Sequence, residues 1–374
     1  FHGINPFGSL FLDLEGGHFT RRWFYFLPAA GEPRMLVHRI EARNFEHLPG
    51  KATLYSGWRE LEQFLGQMLK GSKRIAMEYS PGNALPYVSK IDAGMVELIR
   101  GLGPEIASSA DIIQYFHSRW TDTGYAAHKK TVPLVHGIRE RAFETIGRKI
   151  KAGESVNEYM IQQQIVADFA DAGLTFDHPP IVAVNANAAM PHYAPADNEY
   201  TDIHKGDLVL IDMWCKQADE PEATYVDITW TGFVGGEVPD KIAAVFNIVK
   251  EGRDSAVEFV AERLSRGHAV RGGEVDDACR QVIENAGYGE YFTHRTGHSI
   301  DTEVHGAGVN IDNLEVRDER SLIPGVGFSI EPGIYLPGEF GIRSEIDCYI
   351  GPDGIEVTTA PSQEEVLPLL TMFG

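Results

Sequence analysis

The chain has 374 residues, 43% hydrophobic and 23% charged, the balance of a globular protein of two or three domains. Its 54 acidic and 33 basic residues leave a formal charge of -21, which repels phosphate backbones and argues against a nucleic-acid partner. The sequence offers no apolar run near the roughly 20 residues of a membrane span, so we expect no membrane contact. Its three widely spaced cysteines favour a reducing compartment, and we expect a cytoplasmic protein.

Residues 1–120 are expected to form a small α/β domain, because β-rich runs between Gly and Pro clusters alternate with helical periodicity. The helix is predicted over Trp58–Leu69. The strands are predicted at Leu10–Leu12, Trp23–Leu27, Met35–Val37 and Arg74–Glu78. The chain begins at Phe1 and not at Met, within an expected loop, so we expect this domain to lack its first residues.

Long helical segments dominate the first part of residues 121–374. One is predicted from Tyr125 to Ile150, with Pro133 kinking or starting it and Gly153 ending it. A capping-box pattern at Ser155–Glu158 predicts the start of the next helix. Two further helices are predicted at Pro239–Arg266 and Glu274–Asn285, with β-rich runs between and after them.

Two acids interrupt apolar, strand-like runs in the middle of this region. Asp212 and Asp227 would both be buried, which is costly unless each is paired or binds a metal. Asp212 alone could pair with Lys216. A hairpin symmetric about the point between Asp219 and Glu220 would instead bring the two acids face to face.

The same arrangement is predicted near the C-terminus, where Glu331 and Glu345 flank a turn centred on Gly338. Cross-strand partners have β-carbons about 4.5–5.5 Å apart, so two like charges would repel unless cations bridge them. A single acid could pair with a nearby base, for instance Glu345 with Arg343. Four acids in two matched hairpins favour a site for two metal ions, about 3.5–4 Å apart.

Histidines near these acids could complete such a site. His298 closes the run His294–His298, and His305 follows shortly after it. His192 lies in a loop before the first acid-bearing strand, and by position alone it is equally consistent with a loop histidine without function. A neutral imidazole suits a carboxylate-rich metal centre.

These residues and the short sequence motifs around them resemble those of the pita-bread metallopeptidases. The family includes aminopeptidase P, prolidase and methionine aminopeptidase, with creatinase as a metal-free relative. The resemblance rests on the ordered set Asp212, Asp227, His298, Glu331 and Glu345 and on the phrases Pro191–Tyr193, Thr296–His298, Ser329–Tyr335 and Gly341–Glu345. It implies an α+β chain, with a C-terminal pita-bread (creatinase/aminopeptidase) domain over residues 121–374. A curved antiparallel sheet would hold the metals on its concave face. The smaller N-terminal α/β domain, residues 1–120, is similar to that of creatinase.

The resemblance also implies roles for individual residues. The four acids and the histidine would bind two divalent ions, with one Asp and one Glu bridging, and Mn²⁺ suits this oxygen-rich set, with Co²⁺ or Zn²⁺ as alternatives. A hydroxide bridging the ions would attack the amide carbonyl, with Glu331 as the proton shuttle. His192 and His305 would contact the substrate and stabilise the tetrahedral intermediate. Arg343 would lie near the metals, or serve as a structural partner of Glu345 or Asp347.

The implied activity is that of a metal-dependent exopeptidase that cleaves Xaa-Pro bonds in dipeptides or at the N-terminus of peptides. Its partner would be a peptide with proline at the second position, and the protein is expected to be a homodimer. A creatinase-like hydrolase of small amide or guanidino compounds and a non-catalytic binding scaffold are the alternatives. The choice between dipeptidase and aminopeptidase, the natural substrate and the physiological metal stay open. So does the effect on specificity of Ser299, Asp301 and Gly306, which depart from the family pattern.

Overall fold

The computed structural model describes residues 5–14 and 18–373, so most of the loop expected at the first residues lies outside the described part. The chain divides into two compact units, one ending at Ile113 and one beginning at Gln114. The domain boundary expected from the sequence lies at 120/121. Among the helices within the described ranges, none combines the length and the apolar character needed to cross a membrane.

The N-terminal unit combines helices with two small sheets, as expected for an α/β domain. The helices are α1 (Pro6–Phe11), α2 (Trp58–Leu69), α3 (Ala93–Gly101) and α4 (Ala110–Ile113), and the strands are β1 (Phe24–Phe26), β2 (Arg34–His38), β3 (Lys51–Tyr55), β4 (Arg74–Met77) and β5 (Glu105–Ser108). Strand β2 pairs antiparallel with β1 and parallel with β3, and β4 pairs parallel with β5. The inner face of α2, with Leu61 and Leu65, packs with Leu36 of β2 in the core.

The strand predicted at Leu10–Leu12 is wrong, because α1 covers most of it. Asn5 caps this helix by accepting a hydrogen bond from Gly8 N at 2.9 Å, and Pro6 occupies its first position. A capping side chain and a proline with a preset φ both favour a helix start over a strand.

The C-terminal unit packs helices against largely antiparallel sheets. Its helices are α5 (Asp122–Ala152), α6 (Glu158–Asp171), α7 (Asp240–Ser265), α8 (Gly272–Asn285) and α9 (Leu369–Met372). Its strands are β6 (Leu174–Thr175), β7 (Ile181–Val184), β8 (Leu208–Gln217), β9 (Val226–Phe233), β10 (Ser299–Ile300), β11 (Gly327–Ile330), β12 (Gly333–Leu336), β13 (Phe340–Arg343), β14 (Ile346–Gly351), β15 (Gly354–Val357) and β16 (Leu367–Pro368). One sheet has the order β16-β9-β8-β6, with β7 also paired to β8. Another has the order β10-β11-β14-β15, and β12 pairs with β13.

Two apolar cores support these sheets. Helices α5 and α6 pack against β7, β8 and β9, with Phe143, Ile165 and Val209 fully buried among them. Helices α7 and α8 pack against the sheets of β10 to β15 around residues such as Phe246 and Phe328. Because both faces of β8 and β9 are covered, an acid on either strand is removed from water.

Helix ends follow the sequence signals in one case and not in another. Helix α5 ends at Gly153, which has a φ of 73° and adopts the left-handed conformation that glycine tolerates. Pro133 lies inside this helix and does not start it. The predicted capping box at Ser155 is wrong, because Asn157 is the cap and accepts from Met160 N at 2.8 Å.

The second acid hairpin has the predicted register, whereas the first is shifted. In β12 and β13, Leu336 pairs with Phe340, so the turn is centred on Gly338 as predicted. In β8 and β9, Asp212 pairs with Thr229, and Asp227 pairs with Trp214. The two aspartates are therefore diagonal neighbours on one face of the sheet and not direct partners.

Three cysteines are buried in the C-terminal unit. Cys215, Cys279 and Cys348 have no measurable exposed surface, and all three are free thiols. Burial raises the pKa of Cys215 and of Cys348 well above the usual range of a thiol.

Candidate active site

The five predicted ligands come from strands or strand ends that meet in the C-terminal unit. Asp212 lies in β8 and Asp227 in β9, His298 precedes β10, Glu331 follows β11, and Glu345 lies between β13 and β14. Glu331 and Glu345 sit just outside the paired part of β12 and β13, in the same register. The antiparallel alternation of side chains explains why one acid from each strand reaches a common centre.

His298 lies close to two of the acids in this group. Its Nε2 atom lies 3.7 Å from Asp227 Oδ2 and 3.4 Å from Glu331 Oε1. Its Nδ1 atom faces the carbonyl oxygen of Ser299 at 3.2 Å, so Nδ1 carries the proton and Nε2 offers its lone pair. Ligand atoms of Asp227, His298 and Glu345 all lie within 4.8 Å of one another, which is close enough to share a metal ion.

Arg343 connects Asp212 to Glu331. The guanidinium donates to Asp212 Oδ2 through Nη2, and its Nε lies 3.8 Å from Glu331 Oε2. Neither structural partner expected for Arg343, Glu345 or Asp347, is its closest acid. Lys216 does not pair with Asp212, because its Nζ donates to the carbonyl of Thr302 at 2.6 Å.

The electrostatics of the cluster favour a bound cation. Burial, and then repulsion from Glu345 and Asp212, raise the pKa of Asp227 well above its usual range. Burial, and then repulsion from Glu331, do the same to the pKa of Glu345. Among the described residues, Asp212 Oδ1 and Asp227 Oδ1 are buried and lack a hydrogen-bond partner. A divalent ion would supply the missing partner and remove the repulsion, so this set of donors fits a metal centre.

Several supporting residues were missed by the sequence analysis. Thr229 donates to Glu345 Oε2 at 2.7 Å and accepts from Arg343 Nε at 3.1 Å. Tyr335 accepts from Arg343 Nη1 at 3.1 Å, and its hydroxyl lies 2.6 Å from His294 Nε2. Thr229 lies two positions after Asp227 and therefore on the same face of the strand, and this spacing could have identified it from the sequence.

A buried acid behind the centre was also missed. Asp347 Oδ2 accepts from the backbone N of Asp227 at 2.8 Å, and Asp347 has no exposed surface. Its position two residues after Glu345 was the available signal. Asp347 therefore fixes the backbone from which Asp227 projects.

The two histidines predicted to contact substrate differ in their surroundings. The ring of His305 lies edge-on to that of His298, with centroids 4.3 Å apart. His192 lies in the loop after β7 and is exposed. A charge on its ring would lower the pKa of both Asp212 and His305.

The three departures from the family pattern are coupled to each other. A β-carbon on Gly306 would lie 2.3 Å from Asp301 Oδ2 and 2.9 Å from Ser299 Oγ, so a side chain there would require Asp301 and Ser299 to shift. Ser299 Oγ accepts from Gly308 N at 3.1 Å. Since Asp301 is only 2% exposed, its carboxylate fills interior space and is withheld from the protein surface.

The chain is similar in sequence to known peptidases. The sequence profile of "Metallopeptidase family M24" matches residues 134–352, more than half of the chain. The chain is 26% identical over 358 residues to the "Probable dipeptidase PepE" of Mycobacterium tuberculosis H37Rv, covering 94% of this chain and 87% of that protein. It is 32% identical over 191 residues to the "Xaa-Pro dipeptidase" of Lactobacillus delbrueckii subsp. lactis, covering 50% of this chain and 47% of that protein.

The fold is similar to that of solved dipeptidases. The crystal structure of dipeptidase PepE from Mycobacterium ulcerans superposes with a TM-score of 0.65 at 22% sequence identity, covering 92% of this chain and 86% of that one. The expected pita-bread architecture, with a smaller N-terminal α/β domain, is thereby confirmed. Fold and sequence together define a metallopeptidase. The chain belongs to metallopeptidase family M24, whose members use divalent metal ions.

Proposed function

We propose that this protein is a metal-dependent exopeptidase that cleaves the bond between an N-terminal residue and a following proline. The observation that carries the proposal is the convergence of four acids and His298 on one buried centre in an M24 chain. Xaa-Pro dipeptides are the substrates to test first. The mycobacterial relative is named a probable dipeptidase and the Lactobacillus relative an Xaa-Pro dipeptidase, which supports the shorter substrates.

Two divalent ions would be held by Asp212, Asp227, His298, Glu331 and Glu345. Mn²⁺ is the ion of choice for this oxygen-rich set, and Co²⁺ and Zn²⁺ are the alternatives. Such ions, when bound, lower the pKa of an attacking water and polarise the scissile carbonyl. The unpartnered Oδ1 atoms of Asp212 and Asp227 support this assignment.

The remaining residues would handle the substrate and its protons. Glu331 is the proposed proton shuttle, because its side chain keeps 15% of its surface exposed and accepts a long hydrogen bond from Ser329, at 3.3 Å. His192 and His305 are both exposed, and they would contact the substrate and stabilise the tetrahedral intermediate. Arg343 would orient Asp212 for metal binding.

The test is hydrolysis by chelator-stripped protein before and after Mn²⁺, Co²⁺ or Zn²⁺ is added. Xaa-Pro dipeptides, Xaa-Pro-Xaa tripeptides and Xaa-Ala dipeptides should be compared. Glu345→Gln should abolish activity by removing a ligand. Glu339→Gln is the matched control, since Glu339 lies exposed in the turn of the same pair of strands and binds Lys241.

The proposal predicts that added metal restores cleavage of Xaa-Pro bonds in the wild type and in the Glu339 variant only. Equal cleavage of Xaa-Ala dipeptides would refute the proline specificity. Preference for the tripeptide would identify an aminopeptidase and not a dipeptidase. Metal binding without cleavage of any peptide would favour the creatinase-like hydrolase or the binding scaffold.

The homodimer, the cytoplasmic location and the domain boundary at 120/121 stay predictions. Light scattering on the purified protein measures the oligomeric state directly. A mass near twice 41.4 kDa would support the dimer.

A further inference from the structure

Glu158, the first residue of α6, is a buried acid to which the mechanism gives no role. It has no exposed surface, although it lies at a helix start where acids are usually solvated. Asn157 already caps the helix, so the Glu158 side chain is free to point elsewhere. A charge this deeply buried persists only when hydrogen bonds satisfy it.

Four hydrogen bonds satisfy Glu158, and all come from one segment, residues 184–201. Oε1 accepts from Val184 N at 2.7 Å and from Asn187 Nδ2 at 2.9 Å. Oε2 accepts from Tyr193 OH at 2.6 Å and from Thr201 N at 2.7 Å. Both ends of the segment and two points within it are therefore tied to a single carboxylate.

His192 lies within this segment, between the two side chains that donate to Glu158. Tyr193 is its chain neighbour, and the backbone N of Tyr193 donates to Met190 O at 2.9 Å. Beyond it, Ala196 and Glu199 exchange backbone hydrogen bonds with each other. These contacts are local to the loop, whereas Glu158 connects it to α6.

The first turn of the segment has its own anchors. Asn185 donates to Asp207 Oδ1 at 2.7 Å and accepts from Leu208 N at 2.9 Å. Gly341 allows the carbonyl of Ala188 to approach β13 closely, since a β-carbon there would lie 1.9 Å from that oxygen. Glu158 is therefore needed most by the part of the segment around His192.

We propose that Glu158 is a positioning residue, which holds the 184–201 segment so that His192 faces the metal centre. This inference rests on the proposed function for its activity measurement. Glu158 itself does not touch the substrate. A replacement should therefore disturb His192 and leave the five ligands in place.

Glu158→Gln is the direct test. The amide keeps the shape of the side chain, but one of its two ends becomes a donor and faces two donors of the segment. We expect kcat/KM for an Xaa-Pro dipeptide to fall by about tenfold or more, with the number of bound Mn²⁺ ions unchanged. Tyr193→Phe removes one hydrogen bond and should give a smaller loss. Glu154→Gln, at an exposed acid that pairs with Lys149, is the matched control.

A double-mutant cycle with His192→Ala separates positioning from general destabilisation. If Glu158 acts through His192, Glu158→Gln should change the activity of the His192→Ala protein by less than about twofold. The same fractional loss in both backgrounds would overturn the proposal. Loss of bound Mn²⁺ would also overturn it.

Hydrogen exchange gives a result that does not depend on catalysis. In Glu158→Gln or Tyr193→Phe, amides of residues 184–201 should exchange faster, while those of β8 and β9 keep their protection. Unchanged exchange, or faster exchange throughout the C-terminal unit, would contradict the proposal. Absence of metal-dependent hydrolysis in the wild type would refute the proposed function alone, and this exchange measurement would still decide the role of Glu158.

Discussion

Acidification should destabilise the C-terminal unit through one buried imidazole, that of His128. This residue of α5 has no exposed surface. Its Nδ1 atom faces the carbonyl oxygen of Tyr225 at 2.8 Å and must carry the proton, while Nε2 lies 2.8 Å from the hydroxyl of Thr358. Burial lowers the pKa of His128 to about 3, so the folded protein keeps this ring neutral.

The size of the effect follows from the difference between the folded and unfolded chains. In the unfolded chain a histidine has a pKa of about 6.5, so between pH 6.5 and 3 only the unfolded state binds the proton. The contribution of the neutral ring is complete above pH 6.5. As the pH falls below that value, the contribution of His128 to the free energy of unfolding decreases by about 1.4 kcal/mol per pH unit. At pH 5 the loss should be about 2 kcal/mol.

Urea unfolding at pH 7 and pH 5 measures this loss, with chelator present so that metal release does not contribute. His128→Asn keeps a donor for the Tyr225 carbonyl but cannot bind a proton. The loss between the two pH values should be about 2 kcal/mol smaller in this variant than in the wild type. His268→Asn, at an exposed position, should behave as the wild type does. An equal loss in His128→Asn and wild type would refute the reasoning.

Four further predictions concern packing and the metal centre. Gly341→Ala should lower the free energy of unfolding by about 1–3 kcal/mol, because its β-carbon would meet the Ala188 carbonyl at 1.9 Å. Gly137→Ala, inside α5, should raise the free energy of unfolding by up to about 1 kcal/mol, because its β-carbon would lie 3.6 Å from Arg141 Nη1, an ordinary contact distance. Urea unfolding measures both changes, and shifts of the same sign in the two variants would contradict this reasoning. Asp227→Ala should reduce the number of Mn²⁺ ions bound in a calorimetric titration. An unchanged number would show that Asp227 is not a metal ligand. Arg343→Lys should weaken metal binding by about 10–100-fold in the same titration, since one ammonium cannot replace a guanidinium with several partners, and unchanged affinity would argue against its orienting role.

Local signals in the sequence were enough to predict the second acid hairpin. Gly338 has a φ of 75°, a conformation that favours glycine, so the turn and the register of its strands follow from its position. The first hairpin has no such residue at its centre. Its chain reverses in a turn closed by Ala223 N and Glu220 O, and the register shifts accordingly.

Contacts between distant segments could not be predicted in the same way. The partner of Arg343 is Asp212, on a strand far away in sequence, and not the neighbouring Glu345. Glu158 matched a capping-box pattern, in which its side chain would accept a hydrogen bond from the start of its own helix. Its carboxylate instead accepts hydrogen bonds from the 184–201 segment. Periodicity and caps predict elements, whereas such side-chain choices depend on the packing of the whole unit.

The buried thiols of the C-terminal unit provide a built-in reporter of unfolding. Only a thiolate reacts with alkylating reagents, and Cys215, Cys279 and Cys348 are both inaccessible and held as thiols. Labelling must therefore wait until the surrounding core opens. The rate of alkylation then measures how often that core opens under native conditions, without any introduced cysteine.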